Sequence, residues 1–455
     1  MKRYRQDMLT GPLFPSIVSY TVPIILTGLL QLLFNAADLV VVGTKGEIYL
    51  SAVGATNAIT NLIVNLFIGL SVGGGVTMAH AMGSRDDEAI HRTVHTVLPT
   101  AFIGGIVLTA VGTALSKTLL RWMDTPESVL PYSTLYMRIY FGGMAFNMVY
   151  NFGAALLRAA GDTRGPLLYL TIAGVANVVL NLIFVLVFGM TVDGVALATI
   201  ISQGISAALV VRALIRRTDA ARLQLKKLRI YKAQIMKIIR LGLPAGVQGS
   251  LFSISNVMIQ SSVNSFGEIF MAGNTAAGSI EGFVYVTMNA FHQTALNFTG
   301  QNLGAGQYKR MRKVLSICLC CVTVAGMAVG GGIYLLREPL LRIYIVDSPN
   351  ASQAIAAGAE RMMFVCLPYF LLGMMDVTTG VLRGLGSSFA PMIISVLGVC
   401  GFRIGWIYTV FASNPTPSTL FVSYPISWTI TFACQLIAFI WIYRKNIAPR
   451  IPSDK

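Results

Sequence analysis

A chain of 455 residues with 55% hydrophobic and only 11% charged positions is far from a soluble domain, where roughly a quarter of residues are charged. Together with a mean hydropathy of +0.69, this excludes a soluble enzyme, a disordered chain and a disulfide scaffold. The net charge of +16 would suggest nucleic acid in a soluble protein; in a membrane protein it marks loops held on the cytoplasmic side, and no nucleic-acid partner is expected.

Residues 1–11 are polar, and the first apolar run is too long for a signal-peptide core, so it reads as the first span. Apolar runs of helical length follow one another near 14–42, 50–82, 93–116, 130–157, 166–189 and 192–215, then 241–265, 271–300, 314–336, 354–382, 389–412 and 419–443. Twelve spans of ~20 residues need ~240 residues, which the chain supplies with short loops to spare. The runs are continuous and lack period-2 alternation, so helices rather than barrel strands are expected. Pro23, Pro99, Pro244, Pro368 and the Gly73-Gly74-Gly75 run are tolerable inside such helices because neighbours satisfy the freed backbone groups. The expected fold is an all-α integral membrane protein embedded in a lipid bilayer.

With twelve spans both termini share one side. The termini and the loops on their side carry 26 Lys and Arg against 5 on the other, which places both termini in the cytoplasm. The basic stretch 212–240 divides the chain and reads as a connector, or as a patch for anionic lipid. We therefore expect an N-terminal six-helix lobe over 1–215, a cytoplasmic linker over 216–240 and a C-terminal six-helix lobe over 241–455.

The halves repeat. Pro23 matches Pro244, Gly46-Glu47-Ile48 matches Gly267-Glu268-Ile269, and Gly83 matches Gly304, all at one offset; Leu157-Arg158 matches Leu382-Arg383 and Pro166 matches Pro391 at a slightly larger one. Six spans per repeat is an even number, so both halves enter the bilayer the same way. They should be two six-helix bundles related by a pseudo-twofold axis along the membrane normal, the layout of a rocking carrier.

Polar residues inside spans are costly and mark cavities or helix contacts. Gln31, Asn35 and Asp38 share one face of the first span; Asn57, Asn61 and Asn65 share one on the second. Asn147 and Asn151 pair on the fourth, Asn177 and Asn181 on the fifth, and Thr199 lies in the sixth. Gln31, Asn35, Asn61 and Asn151 are candidate cavity contacts. A lone carboxylate such as Asp38 needs a cation or hydrogen-bond donors to hold its charge. It is therefore a candidate proton carrier or Na+ ligand, the latter because hard cations take oxygen ligands; a structural Asp bonded only to amides is the alternative.

The second half offers Asn256, Gln260 and Asn264 on the seventh span, Glu281, Tyr285, Met288 and His292 on the eighth, Asp376 and Thr379 on the tenth and Arg403 on the eleventh. Glu281, Asp376 and Arg403 are candidate cavity residues. Arg403 either neutralises Asp376 or Glu281 or contacts substrate, whereas Arg138 and Arg361 snorkel or pair near the ends of their spans. The six cysteines lie in apolar runs without His or acidic neighbours, which suits packing rather than zinc. The four His form no metal-protease pattern and no nucleophile elbow or phosphate loop is present, so catalysis is not expected.

These residues resemble a known family. The run from Pro23 through Asp38-Leu-Val-Val-Val-Gly43, the segment Leu157-Arg-Ala-Ala-Gly-Asp-Thr-Arg164-Gly-Pro166, Gly300-Gln-Asn-Leu-Gly-Ala-Gly306, Leu382-Arg-Gly-Leu-Gly386 and Tyr424-Pro-Ile-Ser-Trp428 look like the bacterial branch of the multidrug and toxic compound extrusion (MATE) family. The resemblance spans nearly the whole chain. It implies antiport of organic cations, drugs or toxic metabolites against Na+ or H+, in a bacterial inner membrane, by a functional monomer with no cofactor beyond the coupling ion. In members with a cation site in the N-terminal lobe, an acid on the first helix works with two polar residues a turn apart on the fifth and a Thr on the sixth. Asp38, Asn177, Asn181 and Thr199 match those positions, with Asn181 standing where archaeal-type members carry a second Asp. Other members place a coupling Glu on the seventh helix; here the stretch Leu251-Phe-Ser-Ile-Ser-Asn256 holds no acid, and Asp376 is shifted in register from their tenth-helix Asp. Rival readings are a major-facilitator carrier, whose basic loop pattern is missing at Gly83-Ser-Arg-Asp-Asp-Glu88, a lipid-linked oligosaccharide flippase, which would need a strongly cationic cavity, and a membrane-embedded enzyme or channel.

Overall fold

The computed structural model describes residues 6–345 and 349–450, apart from the side chain of Ala58. Lys2, Arg3, Arg5 and Lys455, counted above with the termini, lie outside the described residues, within which every regular element is helical. The first three spans are α1 (Leu13–Gly43), α2 (Glu47–Ser84) and α3 (Asp87–Trp122). The fourth is broken at Gly143 into α4 (Leu130–Gly142) and α5 (Met144–Ala159); the fifth is α6 (Arg164–Asn181) continued by a π-helical segment, Leu182–Val187; the sixth is α7 (Val192–Ile215).

The second half repeats this order. α8 (Lys232–Asn264), α9 (Glu268–Gly304) and α10 (Tyr308–Leu335) are followed by a short α11 (Arg337–Tyr344). The tenth span is the pair α12 (Ala351–Val365) and α13 (Tyr369–Gly384), bent by 44° next to Pro368. The eleventh joins α14 (Phe389–Ser395) and α15 (Phe402–Trp406) through π-helical turns, and the twelfth is α16 (Pro417–Phe421) with α17 (Ser423–Ile442). The repeat is visible in the backbone itself. Both α2 and α9 start from a glycine at positive φ, Gly46 at 134° and Gly267 at 92°. Gly161 and Gly386, which close the fourth and tenth spans, sit at 89° and 84°. A side chain at these φ values is strained, so only glycine turns the chain there.

Among the described residues, eight helices are long and apolar enough to cross a membrane by length and composition, and the bent α12–α13 pair makes a ninth. The fourth span, α4 with α5, and the eighth, α9, miss that test for physical reasons. α4 and α5 are each too short alone, with 13 and 16 residues. α9 packs against α10, α12 and α13 and buries His292, Thr294, Asn297, Thr299 and Asn302; a helix surrounded by protein need not be apolar all round.

The chain forms two compact units. Unit 1 holds Val22–Ser250 and the stretch ending at Asp7; unit 2 holds Met8–Thr21 and the chain from Leu251 onward. The boundaries therefore fall inside α1, just before Pro23, and inside α8, a little beyond Pro244, and the linker 216–240 lies wholly within unit 1. In unit 1 the first part of α8 presses on α2 through glycines: a Cβ on Gly69 would lie 2.1 Å from the Gly246 nitrogen, and one on Gly73 would lie 2.2 Å from the Ile238 carbonyl oxygen. Small residues of this kind let membrane helices gain van der Waals contact where lipid supplies no hydrophobic drive. In unit 2 the start of α1 is held by a Thr21–Thr294 hydroxyl bond of 2.8 Å, by edge-on contact of Tyr20 with Phe298 at 5.4 Å, and by Asn302 donating to the Met8 carbonyl at 3.1 Å.

Candidate functional site

Phe34 and Gly174 decide how α1 meets α6. A Cβ at Gly174 would fall 1.8 Å from the Phe34 ring, so glycine is what allows the helices to touch. Asp38 stands one turn beyond Phe34, and Asn177 and Asn181 stand one and two turns beyond Gly174, so the close approach brings these polar groups together. Asn181 Nδ2 donates to Asp38 Oδ1 at 2.5 Å and to Asn177 Oδ1 at 3.2 Å. Thr199 Oγ1 on α7 bonds the Val195 carbonyl of its own helix at 2.9 Å and reaches Asp38 Oδ2 only at 3.4 Å. The four residues singled out in the sequence thus form one cluster.

Two features give it chemical capacity. Asp38 has no basic ion-pair partner among the described residues, so amide and hydroxyl groups alone hold its charge. Asn181 is fully buried, and its Oδ1 has no hydrogen-bond partner among the described residues. An orphaned acceptor beside a carboxylate, with a second amide oxygen and a hydroxyl at hand, is a donor set of hard oxygens suited to a small cation. Asn181 is also the last α-helical residue before the π-helical segment, and such segments occur mostly at functional sites. An apolar cluster of Val41, Val42, Val185, Val192 and Val195 lies alongside.

The structure adds neighbours that the sequence reading missed. Tyr136 and Tyr140, a turn apart on α4 with rings 6.0 Å apart, lie within the field of the Asp38 charge, and Gln203 neighbours Tyr140. Gln203 was legible as the residue one turn past Thr199. The tyrosines were not, because two aromatic residues on an apolar helix look like ordinary packing.

The other candidates of the first half do not join this cluster. Gln31, Asn35 and Asn61 are exposed and make no hydrogen bond among the described residues. Asn151 donates to the carbonyl and side-chain oxygens of Asn147, both at 2.9 Å, a pairing that satisfies one amide with the other.

In unit 2 a cavity of about 360 Å³ gathers Glu281, Asp376 and Arg403 with Arg361, Tyr369 and Trp428 on its walls. Of the two arginines, Arg361 is the one that pairs. Glu281 is held by Arg361, not by Arg403: Arg361 Nη2 donates to Glu281 Oε2 at 2.6 Å, its Nη1 donates to Asn274 at 2.6 Å, and the Tyr369 hydroxyl donates to Glu281 Oε1 at 3.2 Å. Arg403 makes no ion pair among the described residues. Its Nε donates to Ser427 at 3.0 Å, and its guanidinium lies over Tyr424, 3.9 Å from the ring centroid. His292 donates from Nδ1 to the Asp376 carbonyl at 2.7 Å and faces Arg383 with Nε2 at 3.5 Å, so its ring braces α13 rather than lining the cavity.

An all-helical chain of two sequence repeats, crossing the membrane many times and carrying a buried acid among amides, defines a polytopic membrane transporter. Residues 23–183 and 244–409 match the MatE family. The chain belongs to the MatE family of multidrug efflux transporters. It is 26% identical over 398 residues to the probable multidrug resistance protein YpnP of Bacillus subtilis, covering 87% of this chain and 88% of that protein. It is 25% identical over 450 residues to the probable multidrug resistance protein YoeA of the same organism, covering 96% and 95%. Among solved structures, a crystal structure of MATE in complex with MaL6 superposes with a TM-score of 0.89 at 21% identity, covering 98% of this chain and 99% of that one, which shows a shared twelve-helix fold.

Proposed function

We propose that the protein is a secondary antiporter of a bacterial cytoplasmic membrane, with both termini in the cytoplasm, that exports organic cations, drugs or toxic metabolites in exchange for Na+ or H+. The observation that carries this reading is the Asp38 cluster: a membrane-embedded carboxylate with no basic partner among the described residues, held by Asn181 and Thr199 beside an orphaned amide oxygen. With the ion absent, the Asn181 amide and the Thr199 hydroxyl hold the carboxylate charge. A proton or Na+ arriving at Asp38 replaces those donors and frees Asn181 to turn. Na+ would draw on the oxygens of Asp38, Asn177, Asn181 and Thr199. Ion and substrate then bias the carrier between outward- and inward-facing states by binding them unequally. The carrier works as a monomer and needs no cofactor beyond the coupling ion.

The oligosaccharide flippase reading would call for a strongly cationic cavity. The unit 2 cavity is lined by two arginines, Arg361 and Arg403, and two acids, Glu281 and Asp376, a formal balance that favours the antiporter. The test is efflux of a fluorescent organic cation from liposomes holding purified protein, under an imposed Na+ gradient and separately an imposed pH gradient. Wild type should respond to one of the two and Asp38→Asn to neither. Gradient-driven efflux that survives in Asp38→Asn would overturn the assignment.

A further inference from the structure

The charges around the unit 2 cavity do not cancel group by group. Glu281 is taken by Arg361 at 2.6 Å. Asp376 lies in the field of Arg383, and Arg403 lies in that of Glu281. Arg403 nevertheless makes no ion pair: it is 4% exposed, and among the described residues its one hydrogen bond goes to a neutral serine and its Nη2 is buried with no partner. A buried cation is ordinarily paired, and in a membrane span an ionisable group without a partner marks a ligand or ion path. Guanidinium is also the side chain whose planar fork matches a carboxylate or phosphate edge. Around it stand Tyr424 and Trp428, whose rings lie 3.9 and 5.6 Å from the Arg403 guanidinium carbon, and Tyr369, which packs edge-on against Trp428 at 5.4 Å. A volume of about 360 Å³ falls within the range of small-molecule sites.

We propose that this cavity binds the oxyanion of a planar aromatic compound, a carboxylate or a phosphate, at Arg403, with the ring against the Tyr424–Trp428–Tyr369 wall. The inference rests on the carrier reading and adds to its substrate class: the cargo includes aromatic compounds that carry an oxyanion. Asp376 lines the same cavity and, when ionised, repels that group.

The test uses the full chain in detergent, without any gradient, and follows fluorescence of three ring-matched probes: anthracene carboxylate, anthracene methanol and anthracene methylammonium. The carboxylate should bind about tenfold or more tightly than the alcohol, and Arg403→Gln should erase that preference while leaving alcohol binding near the wild-type value. A methylumbelliferyl phosphate and methylumbelliferone pair then separates phosphate from carboxylate as the preferred group. Where Arg403→Gln fails to fold, Asp376→Asn decides, and it should tighten carboxylate binding several-fold. Equal binding of the three anthracenes, preference for the ammonium, or an Asp376→Asn variant that weakens carboxylate binding would overturn the proposal. Because no ion gradient is applied, failure here is read separately from failure of ion-coupled efflux in liposomes.

Discussion

Asn181 donates to Asp38 across the contact between α6 and α1 at 2.5 Å, and the same amide leaves its own oxygen unbonded. One side chain thus supplies a donor to the carboxylate and an idle acceptor next to it. Replacing that amide by a second carboxylate changes the site from one acid to two. Asn181→Asp should bind Na+ at least ~10-fold more tightly, worth about 1.4 kcal/mol, and Asn181→Leu should abolish the ion response. Isothermal titration calorimetry with NaCl against a choline chloride reference measures both; unchanged affinity in Asn181→Asp would contradict the ligand role.

The site depends on a glycine that carries no chemistry. Gly174 accommodates the Phe34 ring, and any Cβ there pushes α1 away from Asn177 and Asn181. Gly174→Ala should therefore lose gradient-driven efflux although every polar residue of the cluster is retained. Phe34→Leu in the same chain should recover part of it by vacating the space. The liposome assay reads both variants.

Arg361 and Glu281 are a mostly buried pair, with side chains 13% and 17% exposed. Removing one partner leaves the other charge uncompensated, at a cost of about 3–5 kcal/mol, whereas replacing both is far milder. Arg361→Gln should lower the melting temperature in detergent clearly, and Arg361→Gln with Glu281→Gln should restore most of it. Equal melting of the single and double variants would show that the pair is not coupled.

Where α2 and α8 cross, space and not chemistry selects the residue. A Cβ at Gly246 would lie 2.3 Å from the Leu66 carbonyl oxygen, while one at Gly249, a turn further on, would meet Asn65 Cβ at 3.5 Å, an ordinary contact. Gly246→Ala should destabilise by more than ~1 kcal/mol, in the range for overpacking, and Gly249→Ala should be nearly neutral. Thermal unfolding in detergent distinguishes them.

The basic linker is tied to the start of α3. Gln224 N donates to His95 Nε2 at 3.1 Å, Arg229 N to the His95 carbonyl at 3.3 Å, and Tyr231 N to Thr96 Oγ1 at 3.1 Å. His95→Ala removes one acceptor from a backbone N–H, a loss of about 1–3 kcal/mol if no water replaces it. Trypsin should then cut faster at Lys226, Lys227 and Arg229, and a cleavage time course checks this.

Much of this protein was legible in one dimension. Span positions follow from runs of apolar residues, because a bilayer requires them whatever the partners. The repeat follows from Gly46 and Gly267, or Pro23 and Pro244, which act on their own backbone. Helical spacing put Asn177 and Asn181 on one face, and the family resemblance joined them to Asp38 and Thr199.

What the tertiary structure decided is who meets whom. Glu281 took Arg361 rather than Arg403, and Gln31, Asn35 and Asn61 stayed apart from Asp38 although they share helix faces with polar neighbours. Tyr136 and Tyr140 joined the Asp38 surroundings without any polar signature in their own span. The reason is geometric: helical periodicity fixes the face on which a side chain stands, but the depth and angle at which two helices cross fix its partner. Those are set by close contacts such as Gly174 with Phe34 or Gly69 with Gly246, between residues far apart in sequence.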